Sequence, residues 1–323
     1  MSNSHTLLIT SAGRRAELLQ CFRRSAHNLS LQLRVVGAEA QPELSAACHL
    51  ADGAERLPRC SDPSYVPILL DLCRREGVSL LVPTIDTELG VLSQHQDEFR
   101  RAGARVVISE PSVVGVARDK QATANRLLKA EVKVPHTMSL AQYRANPVSL
   151  PGDVLAKPAG GSSSVGILRG RGPEDFSALP EAGYLVQELK VGTEYTVNMF
   201  FDQAGFLRCA VPHRRIEVRT GEVSKGRTER VPVLEEAAKK IAKALPGARG
   251  PLCFQAIVSA DGDYAVFEIN ARFGGGYPLA HAAGATFTQW LLEESAGLRC
   301  SAHNEWRSGV TMLRYDAAVF VDG

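Results

Sequence analysis

The sequence lacks the cysteine pattern of a disulfide framework or a structural zinc site. It has 7 cysteines, an odd number, and no two of them are spaced C-x-x-C. Disulfide-rich secreted domains carry even sets of cysteines, and structural zinc sites use closely spaced ligand pairs. We therefore expect neither, and we expect most of these thiols to be small buried apolar groups.

Long hydrophobic runs are also missing. No apolar stretch approaches the roughly 20 residues that span a bilayer. Residues 1–10 lack the basic segment and apolar core of a signal peptide. The sequence therefore predicts a cytoplasmic protein that does not enter a membrane.

Excess charge of either sign is absent. The 323 residues include 37 Lys and Arg against 35 Asp and Glu, a net charge of +2, with no long block of basic residues. Binding to nucleic acid or to anionic lipid would need a basic patch, so we expect no nucleic-acid partner. The length allows two or three lobes with their own cores.

Several common catalytic signatures are absent as well. The sequence contains no Walker P-loop, G-x-G-x-x-G, H-E-x-x-H or G-x-S-x-G motif. No Ser–His–Asp or Cys–His pairing can be assembled from it. Chemistry through a covalent protein nucleophile is therefore not expected.

Short apolar runs alternate with amphipathic stretches in the first third of the chain. Runs at 7–9, 33–36, 80–83 and 106–108 have the character of buried strands, and 63–75 has the pattern of a helix. Such alternation with short loops predicts a doubly wound parallel α/β sheet covered on both faces. We expect it to form an N-terminal α/β domain of residues 1–117.

The pattern changes after a helical stretch at 119–130. Glycine-punctuated strands follow one another closely, which favours antiparallel hairpins and an α+β class. We expect helices at 231–244 and 287–296. The strands are expected at 154–157, 184–188, 195–201, 206–211, 252–258 and 264–270.

A lysine and a loop of small residues follow the strand at 154–157. Lys157 precedes the segment 160–166, in which small residues let backbone N–H groups approach an anion closely and hydroxyls add donors. This segment is expected to act as a mobile lid, although alone it is more commonly a flexible hairpin loop. Its small residues include Gly161, Ser162, Ser163 and Ser164.

A linker and a carboxylate separate two later strands. Residues 187–190 end one strand, and Glu194 begins the next. Backbone groups of such a linker can hydrogen-bond the edge of an adenine ring, and a carboxylate can hold ribose hydroxyls. Taken alone, Glu194 is more commonly a solvated charge at a strand end. The linker residues are Gln187, Glu188, Leu189 and Lys190.

Two oxygen-bearing side chains share one face of the strand at 264–270. Strand alternation places Glu268 and Asn270 together, a donor set that suits a hard cation such as Mg²⁺. Arg272 follows and could neutralise phosphoryl charge. The alternative is a polar end to an ordinary strand.

The Asp-Gly pair at 261–262 adds a third donor to this face. Asp-Gly favours a two-residue hairpin turn. That register places Gln255 directly opposite Glu268, with Cβ atoms roughly 4.5–5.5 Å apart. The sequence therefore predicts a site for Mg²⁺ or Mn²⁺ built from Gln255, Glu268 and Asn270.

In this order and spacing, these elements resemble the ATP-grasp superfamily, which includes D-alanine–D-alanine ligase, biotin carboxylase and the large subunit of carbamoyl phosphate synthetase. The resemblance covers nearly the whole chain and is closest to compact carbamoyl-phosphate-synthetase-like members. It implies ATP and Mg²⁺ (or Mn²⁺) as cofactors. It assigns Lys120 and Lys157 to the phosphates, Gln187, Glu188, Leu189 and Lys190 to the adenine, Glu194 to the ribose, Gln255, Glu268 and Asn270 to the metal, and catalysis to Arg272 and Lys157.

The resemblance also implies the architecture and the reaction. Residues 118–186 would form a central lobe and 187–323 a C-terminal lobe, with ATP between them. A carboxylate attacks the γ-phosphate to give an acyl phosphate and ADP, and an amine then displaces phosphate to leave an amide. Alternatives are phosphorylation of bicarbonate or carbamate, and a nucleotide-binding sensor without turnover. Partners would be a small carboxylate and a small amine, with a homodimer possible.

Substrate residues are expected after strands of the first domain, where doubly wound sheets place ligands. Arg14 or Arg15 could hold a substrate carboxylate, with a solvated helix start as an equal alternative. Asp86 or Glu88 could bind an amine, although helix capping by Asp86 or Thr84 is favoured.

Two further segments are candidates near the reaction centre. Gly275 lies in a glycine-rich stretch, residues 273–277, which we expect to be mobile and to shape the acceptor pocket. One of Arg214, Arg215 and Lys225, around a second hairpin, is expected to reach the γ-phosphate.

Overall fold

The described part of the chain folds into three β-sheets. The structure, a computed structural model, describes residues 4–150, 152–159 and 166–321. Among these residues, the sheets have five, four and six strands in chain order. Gly161 and Ser162 to Ser164, predicted to contact phosphate as a lid, lie outside the described residues.

The first sheet is parallel throughout. Its region comprises β1 (Ser4–Thr10), α1 (Ala16–Asn28), β2 (Gln32–Glu39), α2 (Ala46–Leu50), β3 (Gly53–Arg56), α3 (Tyr65–Arg75), β4 (Leu80–Pro83), α4 (Asp86–Gln94), α5 (Gln96–Arg101), β5 (Arg105–Val106) and α6 (Pro111–Arg118). The strand order is β3-β2-β1-β4-β5. Leu7 and Ile9 pack into one hydrophobic cluster and Leu8 into another, so both faces are covered as predicted. The short edge strand β3 was not predicted, because four residues with alternating half-burial carry little pattern.

The second sheet is small and antiparallel. Its region comprises α7 (Lys120–Lys129), β6 (Thr137–Ser139), α8 (Leu140–Ala145), β7 (Val154–Pro158), β8 (Leu168–Gly170) and β9 (Tyr184–Glu188). The strand order is β6-β9-β7-β8, over a separate core that includes Tyr143 and Phe176. The side chain of Asp119 accepts hydrogen bonds from the amides of Gln121 and Ala122, which explains why α7 begins at Lys120.

The third sheet is larger and also antiparallel. Its region comprises β10 (Thr193–Phe201), β11 (Leu207–Arg219), β12 (Glu222–Thr228), α9 (Pro232–Ala244), β13 (Gly250–Val258), β14 (Tyr264–Asn270), α10 (Tyr277–Ala282), α11 (Phe287–Ser295) and β15 (Thr311–Leu313). The strand order is β14-β13-β10-β11-β12-β15. The predicted fold class is confirmed. The break between the two antiparallel sheets lies at 189–192, a few residues beyond the division expected after 186.

The first and third sheets share their cores. Ile9 of β1 belongs to the same buried cluster as Phe200 of β10 and Trp290 of α11. On the other face of β1, Leu8 belongs to a cluster with Phe254 of β13. The N-terminal region therefore buries its apolar surface against the C-terminal region as well as within itself.

The glycine-rich stretch after β14 is packed, contrary to the expectation of mobility. Phe273 and Tyr277 are buried, and α10 begins at Tyr277. A Cβ atom at Gly274 would lie 3.0 Å from the sulfur of Cys253 in β13. The missing side chains let this stretch lie directly on the sheet, so glycine here serves close packing.

The bulk expectations agree with the structure where it tests them. All 7 cysteines are free, and Cys21, Cys48, Cys73, Cys209 and Cys253 are buried. In the described part of the chain, no helix is long and apolar enough to cross a membrane.

Glu88 is a structural residue, which corrects its assignment to a substrate amine. It is 0% exposed. Its carboxylate accepts hydrogen bonds from the Thr84 amide at 2.8 Å, the Ile85 amide at 3.1 Å and the Tyr65 hydroxyl at 2.9 Å. Glu88 thus caps the start of α4, the role that the sequence assigned to Asp86 or Thr84.

We predict that Glu88→Ala lowers the free energy of unfolding by about 3–5 kcal/mol, because it leaves buried donors without an acceptor. Chemical denaturation measures the loss. The control is Glu98→Ala on α5, whose carboxylate is half exposed. It should change stability by less than about 0.5 kcal/mol. Equal stability of the two variants would contradict the structural role.

Candidate functional site

One face of the six-stranded sheet carries a row of polar side chains. Glu268 of β14 pairs with Gln255 of β13, Gln255 pairs with Thr196 of β10, and Thr196 pairs with His213 of β11. Paired residues share a face, so these four side chains lie in line across four strands. The predicted pairing of Gln255 with Glu268 is confirmed.

That pairing arises by a different route from the one predicted. The turn has three residues, 260–262, with Gly262 at φ +83°, because the amide of Ser259 donates to the carbonyl of Asp263 at 2.8 Å. This longer loop shifts the register by one residue. A β-bulge at Phe267 then adds one residue to β14 and restores the predicted pairing. The prediction of a two-residue turn was wrong. The pairing of Gln255 with Glu268 is nevertheless as predicted, because the bulge offsets the extra turn residue.

The predicted metal ligands place side-chain oxygen atoms on one face of the sheet. Burial raises the pKa of Glu268, while the charge of Lys120 lowers it. Among the described residues, its carboxylate accepts no hydrogen bond. Asn270 lies on the same face of the sheet and pairs with Cys253, two residues before Gln255 on β13. A half-buried carboxylate with adjacent amide oxygens fits Mg²⁺, which takes one or two carboxylates together with substrate phosphates.

A cleft separates the four-stranded sheet from the polar face of the six-stranded sheet. Lys157 of β7 faces this cleft from the four-stranded sheet. It is 5% exposed, and its Nζ donates to Gln187 Oε1 at 2.8 Å. Burial first and the charge of Lys120 second lower the pKa of Lys157 to about 8, and Glu268 opposes this shift. Because its hydrogen-bond partner is a neutral amide, the ammonium charge is left to be matched by an anion.

Lys120 enters the same cleft from the start of α7. It lines a pocket with Asp86, Glu268 and Asn270. Its backbone amide lies 3.5 Å from the carbonyl of Ala159, at the near end of the small-residue loop. The two lysines assigned to phosphate thus approach β14, the strand that carries Glu268 and Asn270, from the central region; β14 is called the metal strand below.

Several groups of residues 187–190, the linker assigned to adenine, already form hydrogen bonds within the chain. The amide of Glu188 donates to the carbonyl of His136 at 2.9 Å, and that of Leu189 donates to Asp153 at 3.0 Å. Lys190 Nζ donates to the Glu188 carboxylate at 2.7 Å. Gln187 belongs to β9 and orients a lysine. An adenine ring would therefore have to use other backbone groups of this linker.

Arg215 is the one of three cationic candidates that faces the site. Its side chain is 7% exposed, with Nε 2.9 Å from Glu194 Oε1, and Nη1 donates to Thr196 Oγ1 at 3.2 Å. Arg214 is exposed and, by strand alternation, on the opposite face. Lys225 forms a half-exposed ion pair with a neighbouring glutamate. The position of Glu194 on the site face agrees with a ribose contact, which stays a prediction.

Arg272 joins the metal strand to the N-terminal region. Its Nε and Nη2 lie 3.1 and 2.6 Å from Asp86 Oδ2 at the start of α4, and Nη2 is 3.4 Å from Asn270 Oδ1. Burial opposes the charge, but Asp86 outweighs it and raises the pKa of Arg272. Oδ2 of Asp86 is thus held by Arg272, and binding of a substrate amine by Asp86 stays a prediction.

Two residues of the site were not identified from the sequence. Glu222 pairs with Arg15 at 2.8 Å and with Arg314 at 3.1 Å, and Arg314 also donates to the carbonyl of Gly275. Of Arg14 and Arg15, the two candidates for a substrate carboxylate, Arg14 is exposed and Arg15 faces inward. A Cβ at Gly275 would lie 2.7 Å from the carboxyl carbon of Glu222. No short-range signal connects these residues.

Two family models match the chain. The model described as PylC-like, N-terminal domain, matches residues 7–107, and the model described as ATP-grasp domain matches residues 117–276. Together they include all the candidate residues described above except Arg314. No curated protein sequence matches the chain.

Solved structures of similar fold include biotin carboxylases and N5-carboxyaminoimidazole ribonucleotide synthetases. The biotin carboxylase domain of Hydrogenobacter thermophilus 2-oxoglutarate carboxylase, solved with MgADP, ADP and bicarbonate, has a TM-score of 0.72, is 17% identical, and the match covers 95% of this chain and 73% of that one. Campylobacter jejuni biotin carboxylase has a TM-score of 0.71 and is 17% identical, and the match covers 91% of this chain and 71% of that one. N5-carboxyaminoimidazole ribonucleotide synthetase from Thermotoga maritima has a TM-score of 0.66 and is 16% identical, and the match covers 94% of this chain and 78% of that one.

The lowered pKa of Lys157 makes a pH-dependent prediction. Below its pKa of about 8, the ammonium is charged and can bind phosphate. Above that pH the free protein has to take up a proton to bind. We expect the affinity for a non-hydrolysable ATP analogue to fall above pH 8, by up to about tenfold per pH unit. Calorimetric titration between pH 7 and pH 9.5 measures this change.

Lys157→Arg is the matched control, because arginine stays charged over this range. Its affinity should be nearly flat between pH 8 and pH 9.5. The same decline in both proteins would show that another group is responsible.

Proposed function

Because this chain belongs to the ATP-grasp superfamily of ATP-dependent ligases, we propose that it activates a carboxylate with ATP and joins it to an amine. A carboxylate oxygen bonds to the γ-phosphorus, and ADP leaves as the bond to the β-phosphate oxygen breaks. The amine nitrogen then attacks the acyl carbon, phosphate leaves, and the nitrogen loses a proton. The products are an amide, ADP and phosphate.

One observation carries the proposal: Lys120, Lys157 and Glu268 meet in one cleft between the two antiparallel sheets. The charges of Lys120 and Glu268 both act on the pKa of Lys157. Phosphoryl transfer depends mainly on positioned charge rather than on a covalent nucleophile. Two cations beside an open carboxylate supply such an arrangement.

The residues of the chain divide the work by position. ATP would supply the phosphoryl group, and Glu268, Asn270 and Gln255 would hold a Mg²⁺ ion that lowers the repulsion between phosphate oxygens. Lys157 and Lys120 hold the phosphates in place. Arg272, oriented by Asp86, presents positive charge beside the metal ligands, where charge develops on the transferred group.

Bicarbonate is the simplest carboxylate to consider as the activated acid. The biotin carboxylase domain of the Hydrogenobacter enzyme was solved with bicarbonate and MgADP bound. That domain was also solved as a dimer, and we propose that a homodimer be tested here by light scattering. Seven free cysteines suit a reducing compartment, which supports a cytoplasmic location.

Release of ADP tests the proposed activity. The purified protein is incubated with ATP, Mg²⁺ and a panel of acids that includes bicarbonate and amino acids, with and without amines. Hydroxylamine added as the amine should trap an acyl phosphate as a hydroxamate. Lys157→Ala should lower ADP release on the order of 10²–10³-fold. Release within twofold of the unsubstituted protein would contradict the assignment.

Glu268→Gln should weaken Mg²⁺-dependent turnover on the order of 10²–10³-fold, because it removes the one carboxylate among the predicted ligands. Folding should persist, since burial already disfavours the charged form of this side chain. ADP release as a function of Mg²⁺ concentration, together with the melting temperature, measures both effects.

Glu217→Gln on β11 is the control, because its carboxylate is half exposed and paired with Lys225 outside the cleft. It should leave the Mg²⁺ dependence unchanged. An unchanged Mg²⁺ dependence in Glu268→Gln would remove the metal site from the proposal.

A further inference from the structure

We infer that Arg15 and Arg314 bind a carboxylate of the substrate other than the one that is activated, and that Glu222 occupies this position until the substrate arrives. The inference rests on the proposed function for the identity of the ligand as a substrate. It assigns the ligand to a chemical class, acids with a second carboxylate such as dicarboxylic acids, including acidic amino acids.

Glu222 is held by guanidinium groups from opposite ends of the chain. Arg15 Nη1 lies 2.8 Å from one carboxylate oxygen, and Arg314 Nη1 lies 3.1 Å from the other. Arg15 directly precedes α1, and Arg314 directly follows β15. Two guanidinium groups converging on one carboxylate form a binding geometry for carboxylates in general.

The charges around Glu222 do not balance. Arg15, Arg314 and the more distant Arg14 all lower its pKa, although burial raises it. The nearby Arg272 is neutralised by Asp86, and it lowers the pKa of Arg15 as a like charge. Partly buried positive charge without a counter-charge is unfavourable. A substrate carboxylate that competes with Glu222 therefore meets net positive charge here.

The position of the cluster suits a substrate. It lies after β1, at the carboxyl end of a parallel strand, where doubly wound sheets bind ligands. Arg272 links it to the cleft, because Arg272 acts electrostatically on Arg15 and is also 3.4 Å from the amide oxygen of Asn270. A molecule that spans the two places would put one end at the phosphates and the other at the arginines.

The two ends of such a molecule would have different roles. A carboxylate held by two guanidinium groups has its charge neutralised and is a poor nucleophile, so this carboxylate is the anchored one. The carboxylate that attacks the γ-phosphate lies on the side of Lys157 and Glu268.

Glu222 lies at a position from which its side chain can move away from the two arginines. It is the first residue after a tight turn, Thr220 and Gly221, whose φ values are +47° and +80°. The strands behind the turn have register shifts between Arg215 and Val218. The carboxylate is thus on the tip of an irregular hairpin, and a substrate carboxylate replaces it with the same two partners.

Succinate tests this inference without ATP, so its outcome is separate from that of the ligase assay. Dissociation constants are measured by thermal-shift titration at low salt. Glu222→Gln should bind succinate about tenfold more tightly than the unsubstituted protein, because the internal competitor is gone. Succinamide, which has the same shape without charge, should bind both proteins equally weakly. Adding Arg314→Met to Glu222→Gln should remove the gain.

Glu217→Gln, on the same hairpin but paired with Lys225, is the matched control and should bind succinate as the unsubstituted protein does. The inference is wrong if Glu222→Gln gains no affinity, or if the gain survives Arg314→Met.

A second measurement needs no variant and covers a failure of Glu222→Gln to fold. In the unsubstituted protein, succinate should slow the modification of Arg15 and Arg314 by phenylglyoxal, as read by mass spectrometry. The exposed Arg100, which is paired only with Asp97, should react at the same rate with or without succinate. Equal rates at Arg15 and Arg314 in both conditions would overturn the inference.

Discussion

The buried ion pair between Arg272 and Asp86 is the contact on which the site depends. It fastens the strand that carries Glu268 and Asn270 to the start of α4 in the N-terminal region. Burying two charges is costly, and removing either partner leaves the other without compensation. The pair therefore fixes the distance between the cleft and the N-terminal sheet, and the residues on each side are positioned relative to it.

The same pair sets the electrostatics of the cleft. Asp86 pairs with Arg272, and the charges of Lys120, Lys157 and Glu268 act on one another in the same part of the cleft. Lysines close to a carboxylate suit a polyphosphate with its cation.

Contacts near in sequence were predictable, and contacts between distant segments were not. Strand periodicity predicted β13 and β14 and the pairing of Gln255 with Glu268. The loop length and the bulge at Phe267 escaped prediction, since a bulge leaves no mark on an apolar strand. Arg15 and Glu222 are 207 positions apart. No local pattern brings such residues together, because tertiary packing alone decides it.

The shared core of the first and third sheets has a consequence for how the protein is made. Ile9 leaves the ribosome early, but its buried neighbour Trp290 is synthesised far later. At about 5–20 residues per second the interval is roughly 15–55 s. During that time one face of the nascent N-terminal sheet is covered by α1 but not by the C-terminal region, and apolar surface exposed in this way is prone to aggregate. Chaperones that hold nascent chains, or slow growth at low temperature, should therefore raise the yield of folded protein more than changes to its surface would.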